Sequence, residues 1–231
     1  MTDPSPDRRV SPAGVPGPAV ELRDVVKDFA TAGGAPFRAV DHVSLEIGEG
    51  EFFSLLGPSG CGKSTILRLI AGLEPQHPPT EGEVLVQGNP VTGPGSDRGM
   101  VFQDYTSFDH RTVLDNVVFG LECRGVPRRE REDLGRHWIG RVGLSVRDDA
   151  GKYPHELSGG MRQRVAICRA LVHNPPILLM DEPFGALDAL TREQLCIDLE
   201  KLWLGTSKTV LFITHSIREA VQLADRVIVM T

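Results

Sequence analysis

FFSLLGPSGCGKSTILRLIAGL, residues 52–73, decides the fold. It joins a short apolar run to a glycine-rich turn, and the turn to apolar residues at helical spacing. The run FFSLL does not alternate with polar residues, as expected of a strand covered on both faces in a parallel sheet. The turn matches G-x-x-x-x-G-K-[ST] across Gly57, Pro58, Ser59, Gly60, Cys61, Gly62, Lys63 and Ser64, with Thr65 following. Its glycines let backbone N–H groups close around phosphate oxygens. Lys63 has the reach for β- and γ-phosphates, and the Ser64 hydroxyl suits Mg²⁺. An incidental glycine turn would lack this agreement of strand, lysine, hydroxyl and helix.

Working outward, the same shape recurs. GMVF (99–102) runs into Gln103, ILLM (177–180) into Asp181 and Glu182, TVLFIT (209–214) into His215, and RVIVM (226–230) follows. Helical patterns lie between or after these runs: STILRLIAGL (64–73), MRQRVAICRALV (161–172) and TREQLCIDLEKLW (191–203). Earlier, VELRDVVKDF (20–29), FRAVDHVSLEI (37–47) and GEVLVQG (82–88) read as strands of an N-terminal antiparallel part. The expected fold is α/β, a P-loop NTPase with a mostly parallel buried sheet. Residues 104–160 hold no such apolar run but two helical stretches, TVLDNVVFGLE and REREDLGRHWIG, and read as an inserted helical lobe. Residues 1–18 carry Pro4, Pro6, Pro12, Pro16 and Pro18 with little to bury, and read as a disordered tail before a domain over 19–231.

Open parallel sheets bind ligands at the carboxyl ends of their strands. Four apolar runs here end in the glycine loop, Gln103, Asp181–Glu182 and His215, which puts polar chemistry on one rim. Asp181 is placed to hold the metal, and Glu182 to take a proton from a water attacking the γ-phosphate. A dipole-stabilised acidic pair at a helix start is the plainer reading. His215 reads as a γ-phosphate contact and Gln103 as a metal or water ligand, beside plainer readings as a strand-end histidine and a polar surface residue. Asp188 in FGALDAL either caps the helix near Thr191 or joins the site. Phe29 is either core or a face for adenine to stack on. A second anion site appears in HELSGGMRQRVAI (155–167), where Ser158 caps a helix opened by Gly159 and Gly160. Two phosphate-seeking helix starts on separate lobes make sense as halves of one site that closes on ATP, and such closure can drive motion.

Composition narrows the classes. Of 231 residues, 25 are Lys or Arg and 31 Asp or Glu, a net charge of -6, which argues against a broad basic face for nucleic acid. The four cysteines, Cys61, Cys123, Cys168 and Cys196, form no C-x-x-C pair, so neither a zinc site nor a disulfide framework is indicated. There is no apolar signal-peptide core and no run of about 18 apolar residues, so a soluble, cytosolic chain that reaches a membrane only through a partner is expected.

Taken in order, the phosphate loop, Gln103, LSGGMRQR, ILLMDE, ALD and the strand-end histidine resemble the ATP-binding subunit of an ABC transporter over about residues 20–231. The resemblance implies ATP and Mg²⁺ as ligands, adenine stacking on Phe29, a Q-loop at Gln103 and a signature at Leu157–Arg164. It implies a magnesium aspartate at Asp181, a catalytic glutamate at Glu182, a D-loop aspartate at Asp188 and a switch histidine at His215. It also implies a head-to-tail pair of subunits in which each signature completes the other's phosphate loop. SDRGMVFQDYTSF and TVLDNVVFGLE resemble the importers for nitrate, sulfonate and taurine, which implies a separate permease, a solute-binding protein and a place on the cytoplasmic face of the inner membrane. Asp109–His110 departs from the Pro-Trp usual there and is expected to face the permease, and relatives continue past Thr231. An exporter or lipoprotein-releasing ATPase is the nearest alternative. A soluble repair or translation ATPase would show a coiled-coil insertion, zinc cysteines or fused halves, and a kinase would have no use for LSGGMRQR.

Overall fold

The computed structural model describes residues 17–31, 34–104 and 106–231. The tail expected over 1–18 therefore lies, up to residue 16, outside the described residues. Five strands form a parallel sheet in the order β6-β7-β8-β3-β9: β3 Phe52–Leu56, β6 Arg98–Val101, β7 Ile177–Asp181, β8 Thr209–Thr214 and β9 Arg226–Val229. A second, antiparallel sheet has the order β2-β1-β4-β5: β1 Val20–Phe29, β2 Phe37–Ile47, β4 Glu81–Val86 and β5 Asn89–Pro90.

The central strands β3, β7 and β8 are buried along their length because alternate residues enter two different cores. The edge strands β6 and β9 are only partly covered, and β9, expected to be buried on both faces, leaves Ile228 and Val229 exposed. Phe52, Leu178, Met180, Val210 and Phe212 face one core, together with the helical lobe. Phe53, Leu55, Ile177, Leu179, Leu211 and Ile213 face the other, against helix α1 (Lys63–Ala71) and the antiparallel sheet. Helix α1 packs on β2, β4, β7 and β8, whereas α4 (Gly159–Leu171) packs on β6, on α2 (Val113–Cys123), on α3 (Arg128–Arg141) and on α5 (Ala189–Leu204). The two helices thus sit on opposite faces of the sheet.

Inside the lobe, α3 can approach α2 because Gly135 has no side chain: a Cβ there would come 2.5 Å from Val118 Cγ1. Backbone bonds Val113 N–H to Lys152 O (2.8 Å) and Leu114 N–H to Ala150 O (2.9 Å) close the lobe on itself. Phe184 sits fully buried, its ring centroid 5.8 Å from that of Phe212, which itself lies 5.8 Å from Phe52. Burying such a ring contributes about 2–3 kcal/mol, enough to peg the loop between Glu182 and Asp188 to the core. Helix α6 (Ile217–Leu223) and the short β5 had no counterpart in the sequence reading, and α5 begins at Ala189, two positions before the helical pattern at Thr191.

Candidate functional site

Register alone assembles the rim. Leu56 of β3 lies beside Thr214 of β8, and Asp181 of β7 beside Ile213. Gly57, Asp181, Glu182 and His215 therefore emerge at one edge of the sheet. Gln103, two positions past the end of β6, is exposed beyond the same edge.

The phosphate loop runs from β3 to α1. Gly62 caps α1 with φ 95, a left-handed conformation that favours glycine. A Cβ on it would sit 2.4 Å from Ala39 O, and one on Gly57 would sit 2.5 Å from Met230 O. The loop is therefore gripped between β2 and the chain after β9, and its glycines are required by close approach. The N–H groups of the first turn of α1, with the helix dipole behind them, make a place for anionic oxygen. Lys63 is 3% exposed, and its Nζ donates to Gly57 O (2.9 Å) and Pro58 O (2.7 Å).

Four side chains gather around Lys63 and Ser64. The Ser64 hydroxyl donates to Asp181 Oδ1 at 2.7 Å, and Arg68 reaches Asp181 Oδ2 at 3.8 Å. Burial pushes the Asp181 carboxyl above its usual range, with the Ser64 hydrogen bond and Arg68 pulling the other way. Glu182 has φ 43, and its N–H donates to Ile213 O at 3.1 Å. A non-glycine residue held there stores on the order of 1–3 kcal/mol, sustained here by the sheet on one side and Phe184 on the other. The strain aims its carboxylate at the rim, where Oε1 lies 3.7 Å from Lys63 Nζ and Oε2 lies 3.0 Å from His215 Nδ1. The sequence readings of Lys63, Ser64, Asp181, Glu182 and His215 thus converge in one cluster of hydrogen-bonding and ionic contacts.

Among the described residues no three His, Cys, Asp or Glu side chains are grouped to hold a metal. A hydroxyl and one buried carboxylate still fit Mg²⁺, which prefers hard oxygens and keeps waters and phosphate oxygens as its remaining ligands.

The other expected residues lie apart from this cluster. Asp188 caps α5, Oδ1 accepting from Thr191 N–H at 3.0 Å, and that bond holds its carboxyl below the usual range. The capping reading of Asp188 is realised. Ser158 caps α4, with its hydroxyl 3.3 Å from Met161 N–H, as expected. Gly160 lacks a side chain where a Cβ would meet Thr191 Cγ2 at 2.6 Å, which ties the signature helix to the start of α5. Phe29 ends β1 half-buried, with Lys27 Nζ 5.4 Å above its ring. Asp109 and His110 are both exposed, as expected.

Asn116, in contrast, carries no sequence signal beyond a polar residue in a mostly apolar helix. It is 1% exposed, accepts from Phe108 N–H (2.7 Å) and donates to the carbonyls of Phe108 (3.1 Å), Arg111 (3.0 Å) and Thr112 (3.0 Å). It pins the segment that follows Gln103 onto α2.

A phosphate loop opening a helix on a parallel sheet, with a buried aspartate hydrogen-bonded to the loop's own serine, defines a nucleoside-triphosphate-binding domain. Comparison with known proteins narrows this. Residues 40–185 match the family described as ABC transporter. An ABC transporter ATP-binding protein of Methanocaldococcus jannaschii is 56% identical over 194 residues, covering 84% of this chain and 71% of the relative. A taurine import ATP-binding protein of Rhizobium johnstonii is 51% identical over 203 residues (88% and 76%), and a nitrate import ATP-binding protein of Synechocystis is 47% identical over 212 (92% and 77%). The solved structure of a dimeric ATP-binding cassette with ADP and phosphate superposes with TM-score 0.79 at 37% identity, over 92% of this chain and 94% of that one. The chain belongs to the ABC transporter family, as one of its ATP-binding cassettes.

Proposed function

We propose that this chain is the ATP-hydrolysing subunit of a solute importer, acting as a head-to-tail pair of copies beneath a membrane permease fed by a solute-binding protein. The observation that carries the pairing is the placement of α1 and α4 on opposite faces of the sheet. The phosphate loop opens a helix on one face of the sheet and the Ser158-capped helix lies on the other, so a second copy is the natural supplier of the missing half. The import names of two relatives and the dimeric state of the matching cassette support the same reading.

Within one site, the N–H groups of the phosphate loop and Lys63 take the β- and γ-phosphates, while adenine stacks on Phe29. Ser64 and Asp181, with Gln103 beside them, would hold Mg²⁺, which would supply charge neutralisation to the phosphates. Glu182 accepts the proton of the water whose oxygen forms the new bond to phosphorus, and the bond to the leaving ADP oxygen breaks. His215, 3.0 Å from the Glu182 carboxylate, orients it and approaches the γ-phosphate. Ser158, Gly159 and Gly160 of one copy close over the γ-phosphate of the other, and Asp188 stands at that junction.

Lesions in different chains test the pairing. One chain carries Lys63→Ala, the other Ser158→Arg, and both carry Glu182→Gln so that trapping of ATP is read. In their heterodimer one site has both lesions and the other has none, so one ATP per purified heterodimer is expected. If the signature served its own chain, both sites would be damaged and none would be trapped.

No helix among the described residues is long and apolar enough to cross a membrane, which fits a subunit held peripherally by its permease, on the cytoplasmic face. The docking surface we assign lies after Gln103. A groove of about 350 Å³ between β6, α2 and α4 is lined by residues that include Phe102, Thr106, Phe119, Arg124, Arg169 and His173, with no carboxylate among the described residues of its lining. An amphipathic permease helix with an acidic end complements it. Replacing Asp109 and His110 together with alanine is expected to cut coupled transport severely in the reconstituted importer, with ATP affinity of the isolated subunit changed less than about twofold. An equal loss of ATP affinity would place these residues elsewhere. The pair is exposed, so little folding energy is at stake.

A further inference from the structure

The free end of the β1–β2 ribbon bears an aromatic ring that the reading above leaves unused. Lys27 pairs with Val40, Asp28 with Arg38 and Phe29 with Phe37, so Ala39 has no opposite residue and forms a β-bulge. Bulges bend a strand and re-aim its side chains beside functional sites. Here the bulged residue is the one whose carbonyl meets Gly62, at 2.4 Å from where a Cβ would stand. The bulge therefore seats the ribbon end on the phosphate loop.

Directly opposite residues of an antiparallel pair share a face, with Cβ atoms about 4.5–5.5 Å apart. Phe37 stands beside Phe29 on that basis. The preceding pair lies on the other face, where Arg38 grips Asp28 through bonds of 2.9 and 3.1 Å and Asp41 through one of 2.9 Å. This charged fork sets the ribbon's geometry while the aromatic pair is presented opposite. Phe37 is 56% exposed, so its ring is open to a ligand on the face it shares with Phe29. One face of Phe29 is already covered by Lys27, whose ammonium is anchored on Pro78 O at 2.7 Å. From Ala39 to Phe37 is two residues of extended strand, about 7 Å. That is the reach from the loop's phosphates past the ribose to the base.

We infer that Phe37 is a second aromatic contact for the adenine of ATP, flanking the base that stacks on Phe29. The inference rests on the ATP reading. A single ring offers the base one surface, whereas two rings on one face of the ribbon offer it two.

Calorimetric titration with ATP and with tripolyphosphate, on wild type, Phe37→Ala, Phe37→Trp and Phe29→Ala, tests it. Phe37→Ala is expected to weaken ATP about three- to tenfold, the worth of one aromatic contact. Tripolyphosphate, which has no base, should bind as in wild type, and Phe37→Trp should restore ATP affinity. The Phe29→Ala and Phe37→Ala losses should be non-additive in the double variant. Unchanged ATP affinity in Phe37→Ala overturns the inference. So does an equal loss for tripolyphosphate, which would mean that the ribbon supports the loop and not the base. Wild type that binds tripolyphosphate but shows no preference for ATP would remove both rings from the site. Wild type that binds neither would remove the nucleotide reading itself.

Discussion

Glu182→Gln slows ATP turnover by roughly two to four orders of magnitude while ATP stays bound, the loss expected when a general base is neutralised. The replacement keeps the shape of the side chain and its reach to His215 Nδ1, 3.0 Å in the native protein. It removes the capacity to accept a proton, together with the charge that faces Lys63 Nζ at 3.7 Å. Because chemistry then stalls with the nucleotide enclosed, the variant should accumulate as an ATP-dependent dimer on gel filtration. Single-turnover phosphate release from the reconstituted transporter is the direct measurement. A rate near wild type would show that the proton goes elsewhere. The backbone offers a further control. Glu182 is held at φ 43, so Glu182→Gly relieves the strain and removes the carboxylate together. It should lose turnover to the same degree, with no cost to the thermal midpoint traceable to that φ.

Lys63→Ala comes next in size and acts on the preceding step. The ammonium is almost fully buried and touches two carbonyls of its own loop and the Glu182 carboxylate. A triphosphate entering the loop replaces those partners with several negative charges in a partly desolvated site. Loss of the cation should therefore cost about 3 kcal/mol of ATP affinity, roughly a hundredfold. The Gly57 and Pro58 carbonyls lose a donor as well, so the thermal midpoint should be read alongside nucleotide titration. The expected pattern is a small shift in melting with a large shift in binding. ATP affinity equal to wild type would overturn the assignment of the loop. A collapse of the circular dichroism signal would make Lys63 a structural cation.

Much of the fold was legible because a strand covered on both faces reads as a mostly apolar run, with few polar positions such as the buried Ser54, Thr209 and Thr214. FFSLL, ILLM and TVLFIT declare themselves, and the polar residues directly after them mark the rim. The helix starts at Ser158 and Asp188 were legible for a related reason: a short oxygen-bearing side chain before a helical pattern satisfies a free backbone N–H. Helix α6 was not. It is the shortest α-helix among the described residues and turns Ile217 and Val221 outward, so much of its apolar pattern points away from the core. Asn116 and Phe184 escaped because their meaning depends on partners distant along the chain or on depth, which periodicity does not carry. The placement of α1 and α4 on opposite faces was hidden likewise, since both helices show the same one-sided patterning and the pattern does not say which side of the sheet receives it.

Asn116 has a mechanical consequence. A segment docked against a partner can yield to a push by bending locally, or it can pass the displacement on. Residues 108–112 cannot peel from α2 without breaking the bonds that one buried amide makes to Phe108, Arg111 and Thr112, and a buried amide left without partners costs more than a surface contact returns. Force applied at Asp109 and His110 is therefore delivered to α2 as a whole, and through its packing to α4, the helix that begins at Ser158. The segment works as a stiff handle, and a displacement imposed at that surface arrives at the far end of the lobe with little of it absorbed on the way.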